Sequence, residues 1–262
     1  MTADPDDLAL ALELADIADS ITRRRFLAAD LKVDTKPDMT PVSEADTAVE
    51  QAIRDLLSTA RPEDAVVGEE YGVSTGGGPR RWIIDPIDGT KNYVRGIPVW
   101  ATLIALQEGE RTTVGAISAP ALGRRWWASE GAGAFVDDGL SDGPRRLSVS
   151  AVAELGDAQL SLGDILHWER IGRLDALLTL ARSCWRNRGF GDFWGYMLVA
   201  EGTVEVHVEP EVSLWDLAAA QVIVEEAGGR FTDLAGVATA DGGDALASNG
   251  LLHDAALSII GR

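Results

Sequence analysis

An α+β layered sandwich is the fold class this sequence predicts, and three observations carry it. The 262 residues, 46% of them hydrophobic, suffice for one large domain or two tightly joined halves with a full core. Strand-like and helix-like stretches alternate without a strict strand–helix–strand rhythm, which disfavours a doubly wound parallel sheet. No repeat or low-complexity tract interrupts them.

Residues 6–26 place Leu8, Leu12, Ala15, Ala18 and Ile21 at helical spacing. A polar, turn-rich stretch at 36–43 follows. Ser43 with Asp46 reads as a capping box, opening a helix with Val49, Ile53, Leu56 and Leu57 on one face. Ala65, Val66 and Val67 form a short strand running into Gly68, Glu69 and Glu70. Residues 76–79 are a loop. Trp82, Ile83 and Ile84 form a second apolar strand, halted by Asp85 and Pro86. Further strands are predicted at 100–106, 114–118 and 125–128. The clearest break in composition, from Gly139 to Pro144, divides the chain into halves 1–143 and 144–262 that act as one catalytic unit. Beyond it, helices are predicted near 171–181 and 193–201, and a strand at 204–208. A strong helix at 213–227 is closed by Gly228 and Gly229. Residues 245–247 and a final helix from Leu251 complete the chain.

Formal net charge is −19, which repels nucleic-acid backbones and anionic membrane surfaces. No apolar run is long enough to cross a bilayer, and the acidic N-terminus does not read as a signal peptide. The single cysteine, Cys184, excludes an internal disulfide, and the cytoplasm is the expected compartment. Most excess carboxylates serve solubility. If the ligand is itself an anion, an acidic chain asks for bound divalent cations or a cationic group on the substrate.

Chemistry concentrates in Asp85-Pro86-Ile87-Asp88-Gly89-Thr90. An apolar strand delivers Asp85 to its end, and Pro86 forces a turn that brings Asp88 back beside it. Carboxylates that close repel unless a cation lies between them. Oxygen-rich sites of this kind suit Mg²⁺, with the Ile87 carbonyl as a backbone ligand. Gly89 and Thr90 can open a short helix with free N–H groups for a phosphate. By itself the hexapeptide is equally well an ordinary turn with solvated aspartates. Glu69 and Glu70 after a strand, and Asp216 at a helix start, likewise have ordinary structural readings.

Taken together, Lys36, Asp46, Gly68-Glu69-Glu70, the Asp85–Thr90 hexapeptide and Trp215-Asp216 resemble the full motif set of the inositol monophosphatase family, in order, over about residues 8–260. The resemblance implies a layered αβαβα sandwich of the sugar phosphatase type, a homodimer, and phosphomonoester hydrolysis without a phosphoenzyme. It implies that Glu69, Asp85 and the Ile87 carbonyl hold one Mg²⁺, and Asp85, Asp88 and Asp216 a second. A looser third ion near Glu69 and Mn²⁺ as a substitute also belong to the family pattern. Asp46 and Thr90 resemble the pair that orients and deprotonates the attacking water, Lys36 lies in the loop closing over the metals, and the Gly89 and Thr90 amides steady the phosphate. Other phosphatase chemistries find no support. Position 190, where a Cys184-x5-Arg motif needs arginine, is Phe190; Asp85 and Asp88 are spaced too far for Asp-x-Asp; and His167, His207 and His253 have no zinc spacing.

The small phosphorylated substrate is suggested by residues 185–196. Asp192 stands among Phe190, Phe193 and Trp194 where the family has small residues, and an acid with aromatic walls suits an ammonium or imidazole. Residues 188–193 and 95–100 resemble histidinol-phosphate phosphatases of this superfamily, which implies L-histidinol phosphate as substrate and a role in histidine biosynthesis. Glu209 matches an acidic leaving-group contact, for an amino group or a hydroxyl. Arg188 is a contact to phosphate or substrate body, and Asp192 reads alternatively as a helix cap. The alternatives are an inositol or broad sugar phosphatase and, in another class, a non-catalytic metal- or phosphate-binding regulator.

Overall fold

The computed structural model describes residues 4–37, 39–74, 76 and 78–261. Parts of the turn-rich stretch (Asp38) and of the glycine-rich loop (Gly77) lie outside the described residues, as do Met1, Thr2 and Ala3 of the N-terminus.

The chain opens with α1 (Pro5–Arg25), capped by the Asp4 side chain, then the hairpin β1 (Val33–Thr35) and β2 (Pro41–Ser43), and α2 (Glu44–Ala60). Next come β3 (Ala65–Gly68), β4 (Gly72–Val73), β5 (Arg80–Asp88), the short α3 (Thr90–Val94), β6 (Ala101–Glu108), β7 (Arg111–Ala119), β8 (Arg124–Ser129), β9 (Gly133–Asp137) and β10 (Arg145–Arg146). The later elements are β11 (Gln159–Leu162), α4 (Ile165–Arg170), α5 (Leu174–Ser183), β12 (Arg186–Arg188), α6 (Asp192–Ala200), β13 (Val206–Glu209), α7 (Leu214–Glu226), β14 (Arg230–Thr232), β15 (Ala245–Ser248) and α8 (His253–Ile260).

These elements stack as an αβαβα sandwich, the architecture expected from the sequence. An eight-stranded sheet runs β10-β9-β8-β7-β6-β5-β3-β4 and a five-stranded sheet β12-β11-β13-β15-β14. Because side chains alternate along a strand, Trp82, Ile84, Ile104 and Leu106 pack one face of the large sheet against Leu14, Val49 and Ile53 of α1 and α2. From the other face, Ile83, Leu103 and Ile117 meet Met197, Leu217 and Ile223 of α6 and α7, which also cover Phe231, Ala245 and Ala247 of the small sheet. On that sheet's far side, Leu160, Val206, Val208 and Leu246 pack with Trp168, Leu177, Leu180 and Ala256 of α4, α5 and α8.

Helix α7 is thus covered on both sides and buried from Leu217 to Val224. It approaches β7 so closely that a Cβ on Gly115 would come within 2.8 Å of the Ala219 carbonyl. Its end forms a Schellman turn, with Gly228 at φ +91° and Gly229 N donating to Val224 O at 2.9 Å. One predicted helix, 171–181, divides differently: Gly172 adopts φ +71°, which ends α4 and lets α5 start at Leu174.

Candidate active site

The acidic site forms where β5 leaves the large sheet. Its pairing with β6 shifts register between Asp85 and Asp88, so the strand bulges and both carboxylates turn to one side. Asp85 Oδ1 accepts the Ile87 amide at 2.9 Å, and the Pro86 carbonyl accepts the buried Thr102 hydroxyl at 2.7 Å. The Ile87 side chain is buried with Ala45, Tyr93 and Trp100. Gly89 takes φ +82°, which turns the chain into α3 and which a side chain would strain.

Asp46 and Asp216 arrive on separate helices by the same device. Each is the third residue of its helix and closes a capping box: Ser43 N donates to Asp46 Oδ2 at 2.8 Å, and Ser213 N to Asp216 Oδ2 at 2.7 Å. Ser43 Oγ adds a 2.6 Å bond to Asp46 Oδ2. The Thr90 hydroxyl lies 2.9 Å from Ile87 O and 3.2 Å from Asp46 Oδ1, linking the strand turn to α2.

Among the described residues, Asp85, Asp88 and Asp216 each offer an oxygen within 4.8 Å of the others. Among the described residues, no guanidinium or ammonium pairs with any of the three. Burial, with repulsion from Glu69, Asp88 and Asp216, holds the Asp85 carboxyl well above the usual carboxylate range. Asp88 is raised by burial and by Asp192 and Asp216, against a 2.6 Å bond from the Phe193 amide at the start of α6. Asp216 is pushed up to about 7, chiefly by burial. Burial likewise raises Asp46. An all-oxygen, anionic donor set in this state fits a hard divalent cation.

Glu69 and Glu70 border the cluster. Lys36, from the loop between β1 and β2, reaches both at 2.7 Å. Burial opposes the lysine's charge, but the two carboxylates more than offset it and its pKa rises. Burial also pushes Glu70 up to about 7 despite this partner. Contacts of 2.7 Å make the lysine and the two glutamates an ion-paired group. A residue the sequence did not single out holds this turn. Glu50 of α2, fully buried and paired with Arg54 at 2.7 Å, accepts the Glu70 amide at 2.7 Å and the Tyr71 amide at 3.1 Å. Gly68 makes room for it, since a Cβ there would fall 2.0 Å from Glu50 Oε1.

A cavity of about 200 Å³ opens beside Asp88 and Asp216, walled by Asp192, Phe193, Tyr196 and Glu209. Lys91, Asp164, His167 and Glu211 also line it; of these the sequence reading had named only His167, and that as lacking zinc spacing. Asp192 adopts φ +46° at the first turn of α6, receives Asn92 Nδ2 at 3.3 Å, and is raised to about 6 by burial and Glu209. Phe190 and Trp194 pack edge-on against each other at 5.5 Å and are absent from the cavity lining. Arg188 is exposed on β12, with its guanidinium on the Asn187 carbonyl. A larger cavity, about 340 Å³, lies between α1 and β8, but its Arg125 is already held by Asp16 and Asp19. The crowded acids mark the smaller one.

Fold and site together are those of a phosphatase. The family model described as "Inositol monophosphatase family" matches residues 5–260, and the chain belongs to that family. It is 59% identical to a histidinol-phosphatase of Streptomyces coelicolor over 98% of this chain and 97% of that protein. It is 57% identical to one of Mycobacterium tuberculosis, covering 97% of each. Among solved structures, an IMPase of Thermotoga maritima matches with a TM-score of 0.85 at 30% identity, covering 97% of this chain and 96% of that one. An inositol monophosphatase of Zymomonas mobilis matches at 0.86 and 31%, covering 99% of both. No helix among the described residues is long and apolar enough to cross a membrane.

Proposed function

We propose that this chain is a Mg²⁺-dependent phosphomonoesterase that hydrolyses L-histidinol phosphate to L-histidinol and phosphate, a step of histidine biosynthesis. The observation that carries the substrate reading is the cavity wall. Asp192 and Glu209 stand there beside the acid cluster, bonded to neutral donors, Asn92 and Tyr196. Buried carboxylates without a bonded cation favour a leaving group that carries one. The names of the Streptomyces coelicolor and Mycobacterium tuberculosis relatives support the same substrate.

Asp85, Asp88 and Asp216, with Glu69 and the Ile87 carbonyl, are the groups to hold two or three Mg²⁺, with Mn²⁺ a substitute. The bound cations supply charge neutralisation at the phosphate and acidify the attacking water. Asp46 takes that water's proton, oriented through the Thr90 hydroxyl. The Gly89 and Thr90 amides face the phosphate oxygens, where charge builds during in-line displacement. Lys36 keeps Glu69 in place, Asp192 and Glu209 bind the amino-alcohol, and Arg188 contacts the phosphate or the substrate body. The halves 1–143 and 144–262 work as one catalytic unit, as a cytoplasmic homodimer.

The test is phosphate release with Mg²⁺ from L-histidinol phosphate and from inositol 1-phosphate, with EDTA as control. A strong preference for the first, lost with EDTA, is expected. A preference for inositol 1-phosphate overturns the substrate and keeps the site; other relatives named inositol-1-monophosphatase, at 32–36% identity, make that the second reading.

A further inference from the structure

We propose that Tyr196 is the positioning residue behind the preference for a cationic leaving group, because it fixes Glu209 without neutralising it. The proposal rests on the pocket reading above. Glu209 ends β13 in the cavity wall. Its Oε2 accepts the Tyr196 hydroxyl at 2.7 Å in a buried bond. Its Oε1 lies over Gly163, where a Cβ would come within 2.7 Å of it. The carboxylate is confined on both sides.

Tyr196 is itself immobilised. Its ring stands edge-on to His207, centroids 4.3 Å apart at 90°, and tilts against Phe231 at 5.8 Å. His207 is fully buried, with Nδ1 2.9 Å from the Ser161 hydroxyl. Its ring lies directly on Gly195 of α6, where a Cβ would fall 2.2 Å from Cε1. A continuous stack therefore runs from Ser161 on β11 through His207 and Tyr196 to Glu209, with no member free to turn.

The chemistry of the last link decides what the stack is for. A phenol donates a hydrogen bond and carries no charge, so it aims a carboxylate and leaves its negative charge intact. An arginine or lysine there would cancel it. Among the described residues, no lysine or arginine pairs with Glu209, and the nearest basic atom is His207 Nε2, 3.8 Å from Oε2 and without a hydrogen bond. The charge is left for the ligand. An ammonium or imidazolium on the leaving group neutralises it, whereas a neutral polyol can only hydrogen-bond to it and leaves the charge buried.

Tyr196→Phe removes the hydroxyl and keeps every ring contact. Steady-state kinetics of the Mg²⁺-loaded protein on L-histidinol phosphate and on glycerol 2-phosphate, a neutral-alcohol ester, separate the possibilities. We expect KM for histidinol phosphate to rise about tenfold, kcat to hold within about twofold, and KM for the neutral ester to rise far less, by about twofold at most. Calorimetric binding of L-histidinol should weaken by the same factor. Equal losses on both esters, or a lower melting temperature with unchanged KM, would make Tyr196 a packing residue and overturn the proposal. Wild type preferring the cationic ester while the variant keeps that preference sinks this proposal alone; wild type with no preference sinks the substrate reading and this proposal with it. Should Tyr196→Phe fail to fold, Ser161→Ala loosens His207 from outside the pocket, and about a threefold rise in the same KM is expected.

Discussion

Asp7 and Asp85 are equally buried, 2% exposed each, and the chain treats them in opposite ways. Asp7 lies under Arg61 at 3.0 Å and Arg80 at 2.9 Å, and neighbouring Asp64 is shared by Arg80 and the Trp82 indole. Glu201, at the other end of the large sheet, takes Arg124, Arg145 and the Trp126 indole. Asp85 receives one backbone amide and faces Glu69, Asp88 and Asp216. Burying a charge is costly in both places. In the first region the sequence supplies the counter-charge, and the result is finished structure. In the second it is withheld, which leaves an acid cluster that fits a cation from solution. Burial of an acid is therefore uninformative by itself; the missing partner is what marks function.

The sharpest way to break this contrast is to neutralise one acid on each side. Asp216→Asn should lower turnover about a thousandfold or more while the metal-free protein melts no lower, since a repelling charge is gone. Asp7→Asn should keep turnover within about twofold and lose roughly 5 °C in melting temperature, with Arg61 and Arg80 left facing each other. Activity assays and thermal melts of both variants check the crossing; an inactive Asp7→Asn or an active Asp216→Asn would remove the distinction. A smaller effect sharpens it within the site. Asp192→Asn, chosen because asparagine tolerates the φ of +46°, should cost about thirtyfold in kcat/KM on histidinol phosphate and about threefold on a neutral ester. Equal losses would reduce Asp192 to a structural role.

The smallest effect is a dependence on pH. Burial and neighbouring acids raise the folded pKa values of Asp216 and Asp192 to about 7 and about 6, above the ordinary aspartate value of about 4. The folded state then binds protons that the unfolded state has released. Their contribution is most favourable below about pH 4 and is lost as pH rises through 6 and 7. Metal-free protein should therefore lose a few degrees of melting temperature between pH 5 and pH 8 from this source. Saturating Mg²⁺ should restore more at pH 8 than at pH 5. A Mg²⁺ effect equal at the two pH values would show that the acids do not hold the ion in their charged form.

Legibility in the sequence followed pattern strength. Helices α2 and α7 announce themselves by capping boxes, and β5 by an apolar run that stops at Asp85. Strands β1 and β12 carry no alternation because every residue in them is exposed, and β14, at three residues, is too short to show a period. The acids of the central cluster could be named because they stand at element ends. Glu50 could not: on a helix a glutamate four residues before an arginine looks like a surface pair, and only the bare backbone of Gly68 turns it inward. Tyr196 and the other lining residues Lys91 and His167 were hidden for a related reason. Their place in the cavity depends on α3, α4, α6 and β13 meeting, which no local pattern encodes.

The shared central layer also bears on how the chain is made. The large sheet is complete in sequence apart from β10 once β9 has been synthesised, yet Ile83, Leu103 and Ile117 on one of its faces are covered by α6 and α7. Those helices leave the ribosome on the order of ten seconds later. During that interval the nascent chain carries a wide uncovered apolar face, the kind of surface that chaperones bind and that aggregates when crowded. The helix that brings Asp216 to the site is thus also the piece that ends this exposure, which ties a productive site to the last stages of biosynthesis.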